Sequence, residues 1–232
     1  MSSTPVILVL GAGPRVGSAI ATLFSSHGYK IALASRSGTN STDASGILSL
    51  KADFSNPSTI SPLFAAVKKE FHTAPNVVVY NAATLTQPPD KASSLSIPVD
   101  SFVSDLNVNT VSPYVAAQEA ITGFATLPKE VKKTFIYTGN ILNRAVFPVP
   151  FMLTLGVGKA ASAHWIGLAD GTYKEQGYRF FYADERKEDG SSIGLDINGP
   201  AHAEFFAELV KQEGSVPWSA TFVKGKGYVE FK

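Results

Sequence analysis

The stretch Val6-Ile7-Leu8-Val9-Leu10-Gly11-Ala12-Gly13-Pro14-Arg15-Val16-Gly17 decides the fold of this chain. Its five consecutive apolar residues predict a buried strand that is too short to cross a membrane. Gly11 then supplies the residue without a Cβ that a tight turn needs. A strand, a glycine turn and a helix N-terminus together predict a pyrophosphate site, because unpaired backbone N–H groups and the helix dipole face the anion. The helix is indicated by apolar residues in phase at Val16, Ile20, Leu23 and Phe24.

The composition limits the classes of protein to which this chain can belong. It has 232 residues, a formal net charge of +1 and no cysteine. A chain of this length can form a single α/β domain without covalent support, and disulfides and thiolate metal sites are excluded. Dispersed charges give no indication of a nucleic-acid or membrane partner. Because no secretory signal is evident, we expect a cytoplasmic protein.

Strand patterns alternate with helix patterns along the chain, which predicts an α/β fold. The arrangement indicates a Rossmann-like, doubly wound parallel sheet with helices on both faces. We expect one domain over 1–232, with a substrate or lid region from about residue 183, where a charged run reads as a solvated loop. Strands are predicted at 6–10, 30–35, 46–51, 76–80, 133–138, 178–182, 219–223 and 228–231. Helices are predicted at 57–71, 101–122, 152–173 and 199–210.

The glycine turn resembles that of the short-chain dehydrogenase/reductase family, which reads G-x-x-x-G-x-G. Gly11 and Gly17 match this pattern, Arg15 stands at the middle glycine and Gly13 is additional. The alternative dinucleotide motif G-x-G-x-x-G would need a third glycine where this chain has Val16. The resemblance covers about the first 180 residues and implies a nicotinamide-dependent oxidoreductase.

Arg36 indicates NADP(H) as the cofactor. It follows the second strand beside Ser35, and no acidic residue occurs in 30–40 to bind the ribose hydroxyls of NAD. An arginine at this place can bind the 2′-phosphate of NADP, and Arg15 could add positive charge nearby. A solvated arginine at a strand end is the alternative interpretation of Arg36.

The family resemblance assigns two further cofactor contacts. Asp53 matches an aspartate that contacts the adenine ring, and Asn81-Ala82 matches part of the family's N-N-A-G segment. The complete predicted cofactor set is Gly11, Gly13, Arg15, Val16, Gly17, Ser35, Arg36, Asp53, Asn81, Ala82 and Lys159.

The same resemblance assigns the catalytic residues and exposes one departure from the family. Asn109 matches an asparagine that holds a water of the family's proton relay. Lys159 matches the lysine of Y-x-x-x-K, but Leu155 stands where the family has its tyrosine. Either Thr138 or Asn140 would take the role of the serine that polarises the substrate carbonyl. The four histidines have no ligand spacing, so we expect no metal site.

Three functions remain open at this stage. The first is an NADP(H)-dependent oxidoreductase acting on a small carbonyl or alcohol, and the second is a catalytically silent NADP(H)-binding sensor or scaffold. Leu155 favours the second, although Tyr137 or Tyr182 could in principle supply the proton. The third is a methyltransferase using S-adenosylmethionine, against which Arg15 and Arg36 stand.

We also expect self-association, as a homodimer or homotetramer. In the family, the helices that correspond to 101–122 and 152–173 form a bundle between subunits. The second of these helices carries more apolar residues than packing on one sheet face requires, at Val157, Ala161, Trp165 and Leu168.

Overall fold

A nine-stranded sheet crosses the described part of the chain, residues 4–231 of this computed structural model. The strands are β1 (Val6–Leu10), β2 (Lys30–Ser35), β3 (Ser41–Thr42), β4 (Leu48–Lys51), β5 (Val77–Tyr80), β6 (Lys133–Thr138), β7 (Tyr178–Arg186), β8 (Ser219–Val223) and β9 (Gly227–Tyr228). Their spatial order is β3-β4-β2-β1-β5-β6-β7-β8-β9. Pairing is parallel except at the two edges, where β3 and β9 run antiparallel to their neighbours.

Helices cover both faces of this sheet, as the predicted α/β fold requires. They are α1 (Val16–Ser26), α2 (Ile60–Phe71), α3 (Val99–Leu106), α4 (Ser112–Phe124), α5 (Leu153–Tyr173) and α6 (Gly199–Lys211). Side chains of α2, α4 and α5 share one apolar core with the sheet, while those of α1 and α6 share the other. Because successive strand residues face opposite sides, the apolar run of β1 contributes to both cores. The predicted doubly wound, Rossmann-like architecture is confirmed.

The helix predicted at 101–122 is interrupted in its middle. A π-helical turn over Asn107–Val111 separates α3 from α4. Pro113 stands in the first turn of α4, directly after the π-helical turn, and its missing N–H group cannot bond to a carbonyl of that turn. The turn buries Asn109 against the sheet, so the interruption positions a predicted site residue.

The charged run after residue 182 is not the solvated loop that the sequence indicates. Strand β7 continues to Arg186, and Asp184, Glu185 and Arg186 are all buried. Parallel pairing with β8 extends from Tyr182 opposite Ser219 to the last residue of β7. Hydrogen bonds to neighbouring groups compensate part of the cost of burying these charges, and the connection to α6 begins only after Arg186.

Two smaller boundaries also differ from the prediction. The strand predicted at 46–51 begins at Leu48, because the Asp43 carboxylate accepts hydrogen bonds from the N–H groups of Ser45 and Ile47 and forms a turn there. The last predicted strand, 228–231, is reduced to the antiparallel pair Gly227–Tyr228.

Candidate functional site

The predicted cofactor residues meet at the carboxyl edge of the sheet, where ligands bind in this class of fold. Gly11 ends β1 with φ +96°, a left-handed conformation that a glycine adopts without strain. The N–H groups of Gly11 and Ala12 both donate to the Ala34 carbonyl, at 2.9 and 3.0 Å. The turn is therefore tied to the end of β2.

Asn81 and Ala82 support this turn from the other side. Asn81 Nδ2 donates to the Gly11 carbonyl at 2.9 Å, and the N–H groups of both residues donate to the Leu10 carbonyl. A Cβ on Gly11 would overlap the backbone nitrogen of Ala82. A Cβ on Gly17 would lie 2.6 Å from the Cα atom of the residue after Gly11. Both glycines are thus required by close backbone approach, and the Asn-Ala pair holds the turn in place.

The N-terminus of α1 suits a phosphate group. No side chain of the described residues caps this helix, and its first turn contains no acidic residue. Ser18 N donates to the Gly13 carbonyl at 3.1 Å, whereas the N–H groups of Val16 and Gly17 have no acceptor within the part of the chain that the structure describes. These two groups are available to an anion, as at other helix N-termini. A Cβ on Gly13 would meet no atom within 4 Å, which leaves the space in front of the turn open.

Arg15 makes a different contact from the one predicted for it. Its Nη1 donates to the Leu195 carbonyl at 3.2 Å, in the segment that leads into α6. A Cβ on Gly199 would lie 2.7 Å from the Arg15 carbonyl oxygen, so α6 begins directly against the glycine turn between β1 and α1. Arg15 joins the two segments that border the predicted pyrophosphate position.

Arg36 and Asp53 lie at the end of the site that would receive the adenosine. The turn after β2 is closed by a hydrogen bond from Gly38 N to the Ser35 carbonyl at 3.2 Å, and it leaves Arg36 exposed. Asp53 Oδ1 accepts hydrogen bonds from Ser55 Oγ at 2.7 Å and Ser55 N at 3.0 Å. These bonds, and the nearby Arg36 charge, lower the pKa of the Asp53 carboxyl. The Arg36 cation and the Asp53 carboxylate thus lie just beyond the carboxyl ends of β2 and β4, where they could contact a phosphate and an adenine amine.

Asn109 is fully buried and has its polar groups occupied. Its side chain accepts from Thr84 N at 3.1 Å and donates to Thr84 O at 2.8 Å. Its carbonyl accepts hydrogen bonds from Tyr137 Oη at 2.9 Å and from Ser162 Oγ at 2.7 Å. A carbonyl oxygen has two lone pairs, so this atom has no remaining position for a relay water of the kind that the family resemblance implies.

Three tyrosines stack across neighbouring strands at the edge of the site. Tyr80, Tyr137 and Tyr182 are opposite one another in β5, β6 and β7, with ring centroids 5.8 and 5.6 Å apart. The hydroxyl groups donate to three backbone carbonyls, those of Val108, Asn109 and Asn140, respectively. This tyrosine ladder is absent from the sequence prediction, although each of its members stands at or near the end of a predicted strand.

Tyr137 and Tyr182 are therefore sheet side chains rather than free proton donors. Burial raises the pKa of each phenol above its ordinary value. The Tyr182 hydroxyl also accepts a hydrogen bond from Asn140 N at 3.0 Å, so it holds both backbone groups of Asn140. Its structural role is to fix the segment that follows β6.

Lys159 lies beneath this segment, on the same face of the sheet as Tyr137. Its Nζ donates to the Thr138 carbonyl at 2.7 Å and lies 4.3 Å from the centre of the Tyr137 ring. The residue is only 4% exposed. Burial lowers the pKa of Lys159 to about 7, although the Asp184 carboxylate opposes this shift.

Thr138 and Asn140, the two candidates for polarising a carbonyl, differ in their hydrogen bonds. Alternation along β6 directs the Thr138 side chain to the face opposite Tyr137 and Lys159. Thr138 Oγ1 is buried there without a hydrogen bond to the described residues. Asn140 Oδ1 accepts from Leu142 N at 3.1 Å, which orients the side chain and leaves Nδ2 to donate elsewhere. Both side chains thus keep a donor group for a substrate oxygen.

Leu155 is half-buried on α5, one turn before Lys159. An apolar cavity of about 580 Å³ lies between the loop after β6 and the first turns of α5. Its lining includes Leu142, Phe147, Pro148, Leu153, Val157 and Ala160. The Pro-rich loop over 141–151 therefore encloses an apolar space together with α5.

The buried end of β7 brings unexpected charges to the site. Arg186 Nε donates to Asp184 Oδ2 at 2.6 Å, and Arg186 Nη1 donates to the Gly190 carbonyl at 2.9 Å. Burial raises the pKa of Asp184, whereas Arg186 and Lys159 act against that rise. The sequence prediction missed these residues, because an unbroken charged run gives no period that would indicate a buried strand.

Within residues 4–231, no cluster of three or more histidine, aspartate or glutamate side chains has a geometry that could hold a metal ion. In the same range, no helix is long and apolar enough to cross a membrane.

Comparisons with known proteins agree on one family. The model of the family described as enoyl-(acyl carrier protein) reductase matches residues 11–161. A protein of Cryptosporiopsis sp. (strain 8999), named short chain dehydrogenase/reductase dmxR12, is 40% identical over 99% of this chain and 96% of its own length.

Solved structures share the fold at lower identity. A double mutant of a Serratia marcescens short-chain dehydrogenase/reductase superposes with a TM-score of 0.79 at 21% identity, covering 95% of this chain and 96% of that one. A short-chain dehydrogenase from Burkholderia cenocepacia J2315, solved in complex with NADP, gives a TM-score of 0.73 at 17% identity, covering 97% and 98%.

Proposed function

Because this chain belongs to the short-chain dehydrogenase/reductase family of oxidoreductases, we propose that it binds NADP(H) and transfers a hydride between that cofactor and a carbonyl or alcohol carbon. The observation that carries the proposal is that three predicted cofactor contacts lie next to one another at the carboxyl ends of two strands. We call this part of the sheet the cofactor edge. The Gly11 turn, the uncapped start of α1 and the exposed Arg36 follow one another along the carboxyl ends of β1 and β2.

Each part of this edge has a defined task toward the cofactor. The N–H groups at the start of α1 bind the pyrophosphate, and Arg36 pairs with the 2′-phosphate. Asp53 accepts a hydrogen bond from the adenine amine, while Lys159 holds the nicotinamide ribose. The B. cenocepacia relative with the same fold was solved with NADP bound, which supports this choice of cofactor. When bound, NADPH supplies the hydride.

The substrate side is built from Asn140 and the apolar loop after β6. Asn140 Nδ2 donates a hydrogen bond to the substrate oxygen and polarises the carbonyl. The cavity lined by Leu142, Phe147 and Val157 takes the apolar body of a small-molecule substrate.

Leu155 favours a second candidate, a catalytically silent NADP(H)-binding protein. A leucine cannot donate a proton to the developing oxyanion, and the loss of a general acid costs about 10²–10⁴-fold in rate. In this alternative, the cofactor edge is retained for sensing or for scaffolding a partner.

Two measurements on the purified protein separate these candidates. Fluorescence titration with NADPH tests the cofactor edge, and NADPH consumption with a panel of aldehydes, ketones and diketones tests turnover. Binding with turnover supports the oxidoreductase, whereas binding without turnover on the whole panel supports the silent binder. If NADPH does not bind, both candidates fail.

Leu155→Tyr tests the catalytic interpretation directly. If the rest of the site is competent, this variant raises carbonyl reduction, because it restores the family's Y-x-x-x-K arrangement with Lys159. Leu168→Tyr makes the same substitution at an exposed position further along α5, away from the cofactor edge and the apolar cavity. It is the matched control and leaves turnover unchanged.

A further inference from the structure

We propose that Lys159 is itself the proton donor in this protein, giving a proton to the substrate oxygen in the role that the family assigns to tyrosine. The inference rests on the proposed function, since it concerns the proton that accompanies hydride transfer. It deepens that function by naming the source of the proton.

The position of the ammonium group is the first argument. Lys159 Nζ donates to the Thr138 carbonyl at 2.7 Å. Thr138 precedes Asn140 by two residues, so the ammonium lies beside the segment that carries the proposed carbonyl-polarising amide. This hydrogen bond uses one of the three N–H protons of the ammonium. In this proposal, one of the remaining two binds the nicotinamide ribose and the other reaches a substrate oxygen, directly or through one water molecule.

The second argument is that the other hydroxyl groups near this position are already committed. The Tyr137 hydroxyl donates to the Asn109 carbonyl, and the Tyr182 hydroxyl donates to the Asn140 carbonyl. The Ser162 hydroxyl also donates to the Asn109 carbonyl, at 2.7 Å. The leucine one helical turn before Lys159 has no proton to give. Of the amine and hydroxyl groups named here, Lys159 therefore remains as the one with protons to give on this face of the described structure.

The third argument concerns the water relay behind the lysine. In the family, the asparagine of the central helix holds a relay water. Here the Asn109 carbonyl is filled by Tyr137 and Ser162, so that route is closed. In this proposal the ammonium is therefore reprotonated from the side of the site where it meets the substrate oxygen.

The proton and electron balance is that of an ordinary carbonyl reduction. As the hydride reaches the carbonyl carbon, the π electron pair of the C=O bond moves to oxygen. The oxygen forms a bond to one proton of the Lys159 ammonium, and the electron pair of the broken N–H bond stays on Nζ. The neutral amine then takes up one proton from the bulk solvent before the next cycle, which accounts for the proton that the reduction consumes, and alcohol oxidation follows the reverse path.

The groups around the Lys159 ammonium allow it to lose and regain a proton near neutral pH. Tyr137 of β6 lies against it as a neutral ring, and Asp184 of β7 is the carboxylate that acts on it electrostatically. Asp184 is paired with Arg186, which weakens the influence of the carboxylate on Lys159. Burial lowers the pKa of Lys159 to about 7, so both protonation states are accessible near neutral pH.

The first test needs no turnover. The ¹⁵N-labelled lysine side chains are titrated by NMR in the protein without cofactor, and the Lys159 signal is assigned by its absence in Lys159→Arg. We expect its midpoint near pH 7. Lys133, buried at the opposite end of β6 with its ammonium on the Pro128 carbonyl at 2.7 Å, serves as the internal comparison. A Lys159 midpoint above about pH 9, close to that of an ordinary lysine, overturns the inference.

The second test uses a reactive diketone, 9,10-phenanthrenequinone, as the carbonyl probe. Lys159→Arg keeps the positive charge but holds its protons too tightly to release them. We expect NADPH affinity within about threefold of the unmodified protein and kcat lowered by about 10²–10⁴-fold. In the unmodified protein, kcat for reduction falls as pH rises through about 7, because the ammonium is the donating form. Lys133→Arg, the matched control, leaves both quantities unchanged.

A double variant separates a lost proton from a distorted site. Leu155→Tyr/Lys159→Arg regains turnover, since the tyrosine supplies the proton beside a retained cation, whereas a distorted site is not rescued. If Lys159→Arg alone turns over at the unmodified rate, the inference fails and the proposed function stands. If the unmodified protein binds NADPH and reduces no carbonyl, the proposed function fails and the inference falls with it.

Discussion

Two single side chains bear on the cofactor and on the chemistry that we propose for this chain. Arg36 bears on the choice between NADP(H) and NAD(H), and Leu155 bears on the source of the proton. The first is exposed in a turn that follows β2, and the second is half-buried on α5. We expect substitutions at these two positions to report on function.

Arg36→Ala should abolish most of the preference for NADP(H) over NAD(H). A charge-assisted arginine–phosphate contact contributes about 1.5–3 kcal/mol, or one to two powers of ten in affinity. Isothermal titration calorimetry should therefore show weaker NADPH binding and nearly unchanged NADH binding. Lys68→Ala, which removes an exposed cation from α2, is the control and should alter neither affinity. Equal affinities of the unmodified protein for NADPH and NADH would make Arg36 an ordinary surface residue.

At the scale of elements, the π-helical turn and β7 shape the site. The turn directs the Asn109 carbonyl toward the sheet, where β6 and α5 each supply a hydroxyl group to it. Strand β7 carries the buried Asp184–Arg186 pair to the same edge. Both features come from pairing between elements that are distant in sequence.

The two hydroxyls on the Asn109 carbonyl should be energetically coupled. Tyr137→Phe or Ser162→Ala alone removes one hydrogen bond and should lower the free energy of unfolding by about 1 kcal/mol. The double variant leaves a buried carbonyl without a donor, so its loss should exceed the sum of the single losses by about 0.5–2 kcal/mol. Urea denaturation followed by circular dichroism measures all three. Additive losses would show that the carbonyl finds another donor, such as a water molecule.

The buried ion pair between α5 and β7 should matter more than an exposed one. The Asp170 carboxylate accepts from Arg179 Nε at 2.8 Å and from the backbone N–H of Phe180 at 3.0 Å. Asp170→Ala leaves a largely buried guanidinium unpaired and should cost about 3–5 kcal/mol of stability. Glu188→Ala breaks the solvent-exposed pair with Lys226 and should cost at most about 1 kcal/mol. Denaturant midpoints of the two variants test this ranking.

At the scale of the whole molecule, the outer faces of α4 and α5 remain apolar. Leu168 is 67% exposed and Tyr114 is 48% exposed, and Val111 and Val157 are also exposed. Trp165 is partly covered, by Tyr114 at a centroid distance of 5.9 Å. An exposed apolar face of this kind indicates association.

We expect this face to form a homodimer or homotetramer interface. Multi-angle light scattering at micromolar concentration should give a mass of twice or four times 24.6 kDa. Leu168→Glu should shift the mass toward the monomer, because it places a charge on the apolar contact. Leu195→Glu, at another exposed leucine outside this face, should not. A monomeric mass for the unmodified protein would contradict the expectation.

The sequence by itself determined the family, the order of the elements and the position of the glycine turn between β1 and α1. These features depend on local signals: the five apolar residues before Gly11, the periods of the strands and helices, and the spacing of short motifs. Such signals act within one strand or helix, where backbone geometry repeats and is readable from neighbouring residues. The roles predicted for Arg36, Asp53 and Lys159 stay predictions that the variants above can test.

Only the tertiary structure decided how the polar groups of the site are occupied. The hydroxyls that fill the Asn109 carbonyl come from residues 28 and 53 positions away in sequence. Likewise, the charged end of β7 is buried because β8, which follows α6 in the chain, pairs with it. Hydrogen-bond partners between distant elements leave no periodic pattern in the sequence, and burial of charge depends on those partners. The chemistry available to Lys159 therefore became visible only once the strands and helices were packed together.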